Sequence, residues 1–310
     1  MIDILVVGSS GLVGSAILKK LSGSGRAVVG ITSKDADLRV LNGTLEILEK
    51  YKPKYLIDCA AKVGGIKFND AHPVDFFLDN IDIQNNLMRA AHKVGVERFV
   101  FLGSSCIYPR LAPQPINEDS LMTGPLEPTN SAYAMAKIAG IQLIDSYRKQ
   151  FGHQWISIMP TNVYGPNDNF KLETSHVIPA LISKFVSAKF SDAKEVEIWG
   201  TGNAYREFIF SEDLASAVLF CLENYDKNGP INVGTGKEIS ISKLASLIAD
   251  IMKFSGEIRF NDLYPDGTPR KLLDLSRINE LGWKPKIGLR EGLEATIEWY
   301  ISSLKTKGAL

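Results

Sequence analysis

The chain reads as an α/β protein, a doubly wound parallel sheet with a smaller α+β substrate domain towards the C-terminus. Three observations predict this. Short β-rich runs alternate with longer amphipathic stretches through the first half, the pattern of parallel strands joined by crossover helices. Gly8, Gly11 and Gly14 punctuate the first strand-to-helix turn. Beyond Pro160 the alternation gives way to loops rich in Asn, Pro and Gly. At 310 residues the chain exceeds the usual single-core size, so two domains, or one large one with an appendage, are expected.

The elements follow in order. "IDILVVG" is a strand, and "GLVGSAILKKL" carries Leu12, Val13, Ala16, Ile17 and Leu21 at helical spacing. "GSG" breaks that helix and "AVVGIT" is the second strand. "LEILEKYKP" is a helix stopped by Pro53, and "YLIDCAA" the third strand. "IDIQNNLMRAAHKVG" is a helix closed by Gly95, leading to the fourth strand, "RFVFLGSS". The long helix "SAYAMAKIAGIQLIDSYRKQFG" precedes "WISIMP", the fifth strand. Then come the loop "TNVYGPNDN", a helix from "SHVIPALISKF", and "REFIFSEDLASAVLFCLEN", a strand and helix expected to rejoin the first sheet. Two helical patterns, "SISKLASLIADIMKF" and "GLREGLEATIEWYISSL", complete the tail. The expected division is a nucleotide-binding domain over 1–161, with 207–228 returning to it, and a second domain over 162–206 and 229–310.

Composition narrows the class of function. Apolar residues make up 45% and charged residues 23%, as in ordinary globular proteins. Acidic and basic residues balance at 35 each, which argues against a nucleic-acid or polybasic membrane surface. Three separated cysteines, Cys59, Cys106 and Cys221, form no CxxC pair and fit a reducing compartment. The four histidines stand apart, so no metal site is expected. No segment has the apolar length of a membrane span, and a cytoplasmic location is expected.

The glycine turn points to a dinucleotide. Glycines there allow a tight turn, close backbone approach to a pyrophosphate and close helix packing. The helix start adds N–H donors and partial positive charge. The spacing is GxxGxxG, and its place at the start of a βαβ pattern makes the fold Rossmann-type. Where an NAD-type site has an acidic residue at the end of the second strand, this chain reads "GITSKDAD". Lys34 with Ser33 suits a 2′-phosphate, hence NADP, while Asp35 and Asp37 keep an NAD ribose contact open. Tyr133 and Lys137 stand four apart and share a helix face. An ammonium beside a phenol is expected to lower the phenol's pKa from about 10 toward neutrality, fitting it to exchange a proton with a carbonyl/alcohol pair.

With the glycine turn, "SSCIYP", "YAMAK", "PTNVYGP" and "REFIFSEDLA" in this order, the chain resembles the extended short-chain dehydrogenase/reductase family over nearly its full length. "AAKVGGI", "EPTNSAYAMAKIAG", "MPTNVYGPNDNF", "SHVIPAL" and "DGTPRKLLD" resemble its GDP-4-keto-6-deoxymannose 3,5-epimerase/4-reductases. The resemblance implies conversion of GDP-4-keto-6-deoxy-D-mannose to GDP-L-fucose with NADPH; a 3,6-dideoxy or heptose GDP-4-keto sugar is the alternative. It implies Ser104, Tyr133 and Lys137 as the reductase triad, and Cys106 and His176 as the acid/base pair of epimerisation. The implied cofactor site is Gly8, Ser9, Ser10, Gly11, Leu12, Val13, Gly14, Ser33, Lys34, Asp37, Leu38, Ala60, Ala61, Leu102, Pro160, Asn162 and Val163, with Tyr133, Lys137 and His176. The implied substrate site is Ser104, Ser105, Cys106, Asn162, Lys184, Trp199, Arg206, Asp266 and Lys271. The chain departs from the family pattern at Lys184 and Ser10, where arginines are usual. Read alone, Cys106 is a core residue, His176 a helix-start residue and Trp199 a packing residue. A homodimer through the "NIDIQNNLMRAAHKV" and "YAMAKIAGIQLIDSY" helices is also implied.

Overall fold

The computed structural model describes residues 2–264 and 266–308. In chain order it comprises β1 (Ile2–Val7), α1 (Leu12–Leu21), β2 (Val28–Ile31), α2 (Leu41–Tyr51), β3 (Pro53–Asp58), α3 (Ile66–Ala71), α4 (Pro73–Val94), β4 (Arg98–Leu102), α5 (Ser131–Phe151) and β5 (Ile156–Pro160). There follow β6 (Asn162–Tyr164), α6 (Val177–Phe190), β7 (Glu195–Trp199), β8 (Tyr205–Phe210), α7 (Ser211–Asn224) and β9 (Pro230–Val233). The chain ends with β10 (Glu238–Ser240), α8 (Ile241–Met252), β11 (Glu257–Asn261), β12 (Arg270–Lys271), α9 (Ser276–Glu280) and α10 (Leu289–Thr306).

A six-stranded parallel sheet runs in the order β2-β1-β3-β4-β5-β9. Its central strands β1, β4 and β5 are mostly apolar and buried over most of their length, as helices on both faces require. Helices α1 and α7 pack together on one face, and α2, α4 and α5 on the other. Strand order reverses between β1 and β3, which opens a crevice at their carboxyl ends. Phe99, Phe101, Trp155 and Ile57, each at most 1% exposed, lie in this core.

A second apolar core, including Ile182, Phe185, Leu244 and Ile248, joins α6, α8 and α10 to a sheet built on β8. That strand pairs with β6 and β12 in parallel and β10 antiparallel. The expectation that the strand of "REFIF" rejoins the first sheet is therefore corrected. β6 follows β5 after a single residue and takes β8 as its partner, Asn162 opposite Phe208. Only α7 returns to the first layer, and the short run "PINV" of β9 pairs with β5 instead.

Candidate functional site

At the switch point the glycines do steric work. Gly8 has φ +72°, and a Cβ there would come within 2.8 Å of the Cys59–Ala60 peptide. A Cβ on Gly14 would lie 2.3 Å from the Gly8 carbonyl oxygen. The turn therefore nests between the ends of β1 and β3, and no side chain caps the start of α1. Its first-turn N–H groups are left for an anion, with Ser9, Ser10, Leu12 and Val13 on the same turn. Ala60, Ala61, Leu102, Pro160, Asn162 and Val163 lie at or just beyond the carboxyl ends of β3, β4 and β5 along the same edge.

At the end of β2 both acidic candidates are engaged. Asp35 accepts from the N–H and hydroxyl of Thr32, at 2.8 and 2.9 Å. Asp37 accepts from Nε and Nη2 of Arg39, at 2.9 and 2.8 Å, and these bonds hold its carboxyl down at about 2. Lys34 is exposed beside Ser33 and pairs with no carboxylate among the described residues. Leu38 packs against the core, and its carbonyl accepts from Asn86 of α4 at 3.0 Å. The cradle fits a dinucleotide, and its ribose end fits a 2′-phosphate better than a free diol.

The turn after β4 carries Ser104, Ser105 and Cys106. Ser104 Oγ accepts from the Cys106 N–H at 3.3 Å, and Cys106 is 6% exposed. Burial pushes its thiol up, while Lys271, Ser104 and Lys137 pull it back. The first turns of α5 bring Tyr133 and Lys137 to this edge. The Lys137 ammonium donates to the Leu102 carbonyl at 2.9 Å and lies 4.7 Å from the centroid of the Phe101 ring. It is 5.9 Å from the Tyr133 ring centroid.

Here the expected fall in the Tyr133 pKa is not found. Burial drives it well above that of a free phenol, and Cys106 and Asp58 reinforce the rise. The ammonium is spent on Leu102 rather than on the phenol, so Tyr133 stays a proton-carrying acid.

His176 is the residue just before α6. Desolvation, then Lys271, lowers its pKa. Lys271 on β12 thus acts electrostatically on Cys106 and His176 alike. Its own pKa is lowered by burial, with Arg206 adding to the effect. The Cα atoms of Lys271 and Arg206 are partners across the β12–β8 pair.

On the second layer Trp199 is 38% exposed and stacks on Tyr264, centroids 4.4 Å apart. Lys184 Nζ lies 4.9 Å from the Trp199 centroid and Lys67 Nζ 5.5 Å from it. Several predicted contacts are engaged within the protein: Lys184 donates to the Glu197 carbonyl at 2.8 Å, and Arg206 to the carbonyls of Tyr205 and Asp266. The Asp266 carboxylate accepts from the N–H and hydroxyl of Thr201, at 2.9 and 2.6 Å, so it secures the turn after Trp199. The Asn162 amide donates to the Glu207 carbonyl at 2.8 Å.

Sequence reasoning missed the groups that hold these parts. The Glu207 carboxylate, fully buried, accepts from the N–H groups of Thr235, Gly236 and Leu273 at 2.6 to 3.0 Å. It thereby fixes the segment just after Lys271. Lys67 and Tyr264 beside Trp199 were also unread, and so was Asp58 at the end of β3, 2% exposed. Its polar letter within "YLIDCAA" was the one available signal.

A phosphate-cradling turn, a Ser/Tyr/Lys group and a thiol on one sheet edge define a nucleotide-dependent enzyme of the reductase and epimerase class. The chain belongs to the NAD dependent epimerase/dehydratase family, whose model matches residues 4–234. It is 50% identical to the probable GDP-L-fucose synthase 1 of Oryza sativa subsp. japonica, over 97% of this chain and 92% of that protein. Among solved structures it is similar to a GDP-6-OMe-4-keto-L-xylo-heptose reductase from C. jejuni. The TM-score is 0.92 at 35% identity, covering 97% of this chain and 98% of that one. A GDP-L-fucose synthetase from Naegleria fowleri bound to NADP matches with a TM-score of 0.89 at 30% identity, covering 98% of this chain and 95% of that one.

Proposed function

We propose that the protein is an NADPH-dependent 3,5-epimerase/4-reductase that converts GDP-4-keto-6-deoxy-D-mannose to GDP-L-fucose. The observation that carries the reading is one turn holding Ser104 and Cys106 two residues apart, with Tyr133 and Lys137 beside it. Identity of 50% to a relative named as a probable GDP-L-fucose synthase supports it.

The chemistry calls for these groups. The C4 ketone acidifies C3–H and C5–H, and inversion needs a proton taken from one face and another returned to the opposite face. Cys106 and His176 serve as that pair, with Lys271 close enough in charge to stabilise a thiolate. The enolate oxygen accepts hydrogen bonds from Ser104 and Tyr133. NADPH, when bound along the glycine turn, supplies the hydride for C4. Tyr133, its phenol kept protonated by burial, gives its proton to the C4 oxygen as the alcohol forms. Lys184 and Arg206 neutralise the pyrophosphate, Lys184 as a point charge without the arginine fork. Trp199 offers a face to the base.

The heptose reductase likeness favours one second reading, reduction of a GDP-4-keto heptose. Incubation with NADPH and a panel of GDP-4-keto sugars tests both. GDP-fucose formed with matching NADPH loss supports the main reading; turnover confined to a heptose overturns it.

The protein also acts, on this reading, as a homodimer in the cytoplasm. Val74 and Leu78 of α4 and Met135 of α5 are 65%, 51% and 46% exposed on helices that pack side by side, apolar side chains of the kind a second copy would cover. No helix among the described residues is long and apolar enough to cross a membrane. The three cysteines are free thiols, in keeping with a reducing compartment.

A further inference from the structure

Asp58 is a buried carboxylate with no part in the chemistry above. It ends β3, its Cα paired with Val7 on one side and Phe101 on the other. One oxygen accepts from the Ala60 N–H at 3.0 Å. Lys137 lies over the same strand pair, its ammonium above the Phe101 ring and bonded to the carbonyl of the next residue, Leu102. Among the described residues Lys137 has no carboxylate within ion-pair distance. A buried ammonium without a counter-ion discharges.

We propose that Asp58 is the counter-ion of Lys137, a positioning residue that keeps the ammonium charged and in place for the reductive step. A charge acts across a few ångströms of protein interior without contact, because the surroundings screen it weakly. The other titratable groups facing this pocket are Cys59 next to Asp58, Cys106 from the turn after β4, and Tyr133 from α5. None is anionic at neutral pH, since burial pushes all three up. β1 from Ile4 onward and the glycine turn bring no titratable side chain. Among the described residues Asp58 is therefore the one carboxylate that bears on Lys137. Two shifts agree: burial lifts Asp58 to about 6 while Lys137 opposes the rise, and burial lowers Lys137 while Asp58 gives the strongest opposition.

The inference rests on the reductase reading for its purpose, and its tests separate the two. Asp58→Asn keeps an acceptor for the Ala60 N–H and removes only the charge. In single-turnover reduction, wild type is expected to lose rate below about pH 6, where Asp58 protonates. The variant, uncharged there at every pH, should show no such limb and run at the reduced rate that wild type reaches in acid, and its alkaline limb should move down, because Lys137 discharges sooner. Profiles that overlay at both limbs overturn the proposal. The second measurement needs no substrate: the side-chain carboxyl carbon of Asp58, followed by NMR, should titrate about one unit higher in Lys137→Met than in wild type. An unmoved midpoint overturns the counter-ion relationship whatever the enzyme reduces.

Discussion

Tyr108 donates its hydroxyl proton to Oδ1 of Asn232 at 2.6 Å, which ties the turn bearing Ser104 and Cys106 to β9 at the far edge of the sheet. Asn232 in turn donates its N–H to Glu118 at 2.9 Å and its amide to the carbonyls of Ile116 and Asp274. The reactive turn is thus held by a buried polar network as well as by packing.

Tyr108→Phe tests that anchorage. The variant loses one buried hydrogen bond and leaves Asn232 an unsatisfied acceptor, a cost of about 1–3 kcal/mol. The urea midpoint should fall accordingly, and epimerisation and reduction should decline together because both act from this turn. An unchanged midpoint contradicts the anchoring role.

Trp199→Ala tests the nucleotide face. Stacking against a base contributes about 1–3 kcal/mol, so KM for the GDP-sugar should rise roughly tenfold or more, with kcat within about twofold. Steady-state kinetics separate the two parameters. A fall in kcat at constant KM would place Trp199 among packing residues.

Asp168→Asn tests a cost built into the loop before α6. One oxygen of Asp168 accepts from the Asn169 N–H at 2.7 Å; the other is buried with no partner among the described residues. Burial pushes the carboxyl up to about 7. Its folded pKa lies above the unfolded value, so the folded state binds the proton more tightly, and stability is lost as pH rises from about 4 to about 7. The Asn variant lacks this slope and should gain on wild type by an amount on the order of a few kcal/mol at pH 8 relative to pH 4. Urea melts at the two pH values measure it; parallel changes in the two proteins contradict the assignment.

The legible parts of the sequence were those fixed by local rules. Gly8 and Gly14 were readable because a positive φ and a backbone approach leave room for no other residue. The first five strands and the helices between them, α3 excepted, were readable from periodicity. β8 was readable as a strand but its sheet was not, because a β-rich run does not say which neighbour will accept its hydrogen bonds. That choice lay with β6, three residues long. Strands β7, β11 and β12 escaped notice for the same reason, each finding its partner far away in sequence. Tyr133 and Lys137 were correctly brought to one helix face, yet their spacing could not reveal that the Leu102 carbonyl claims the ammonium. Solvation is set by the assembled fold, which also hid Asp58 within an apolar strand.

The central claim is that Cys106 and Ser104 divide two reactions between them on one turn. Cys106→Ser, given GDP-4-keto-6-deoxy-D-mannose and NADPH, tests it through NMR of the product. The account predicts continued, slower NADPH oxidation, with the unepimerised GDP-6-deoxy sugar in place of GDP-L-fucose. Undiminished yield of GDP-L-fucose from the variant would contradict it and return Cys106 to the core.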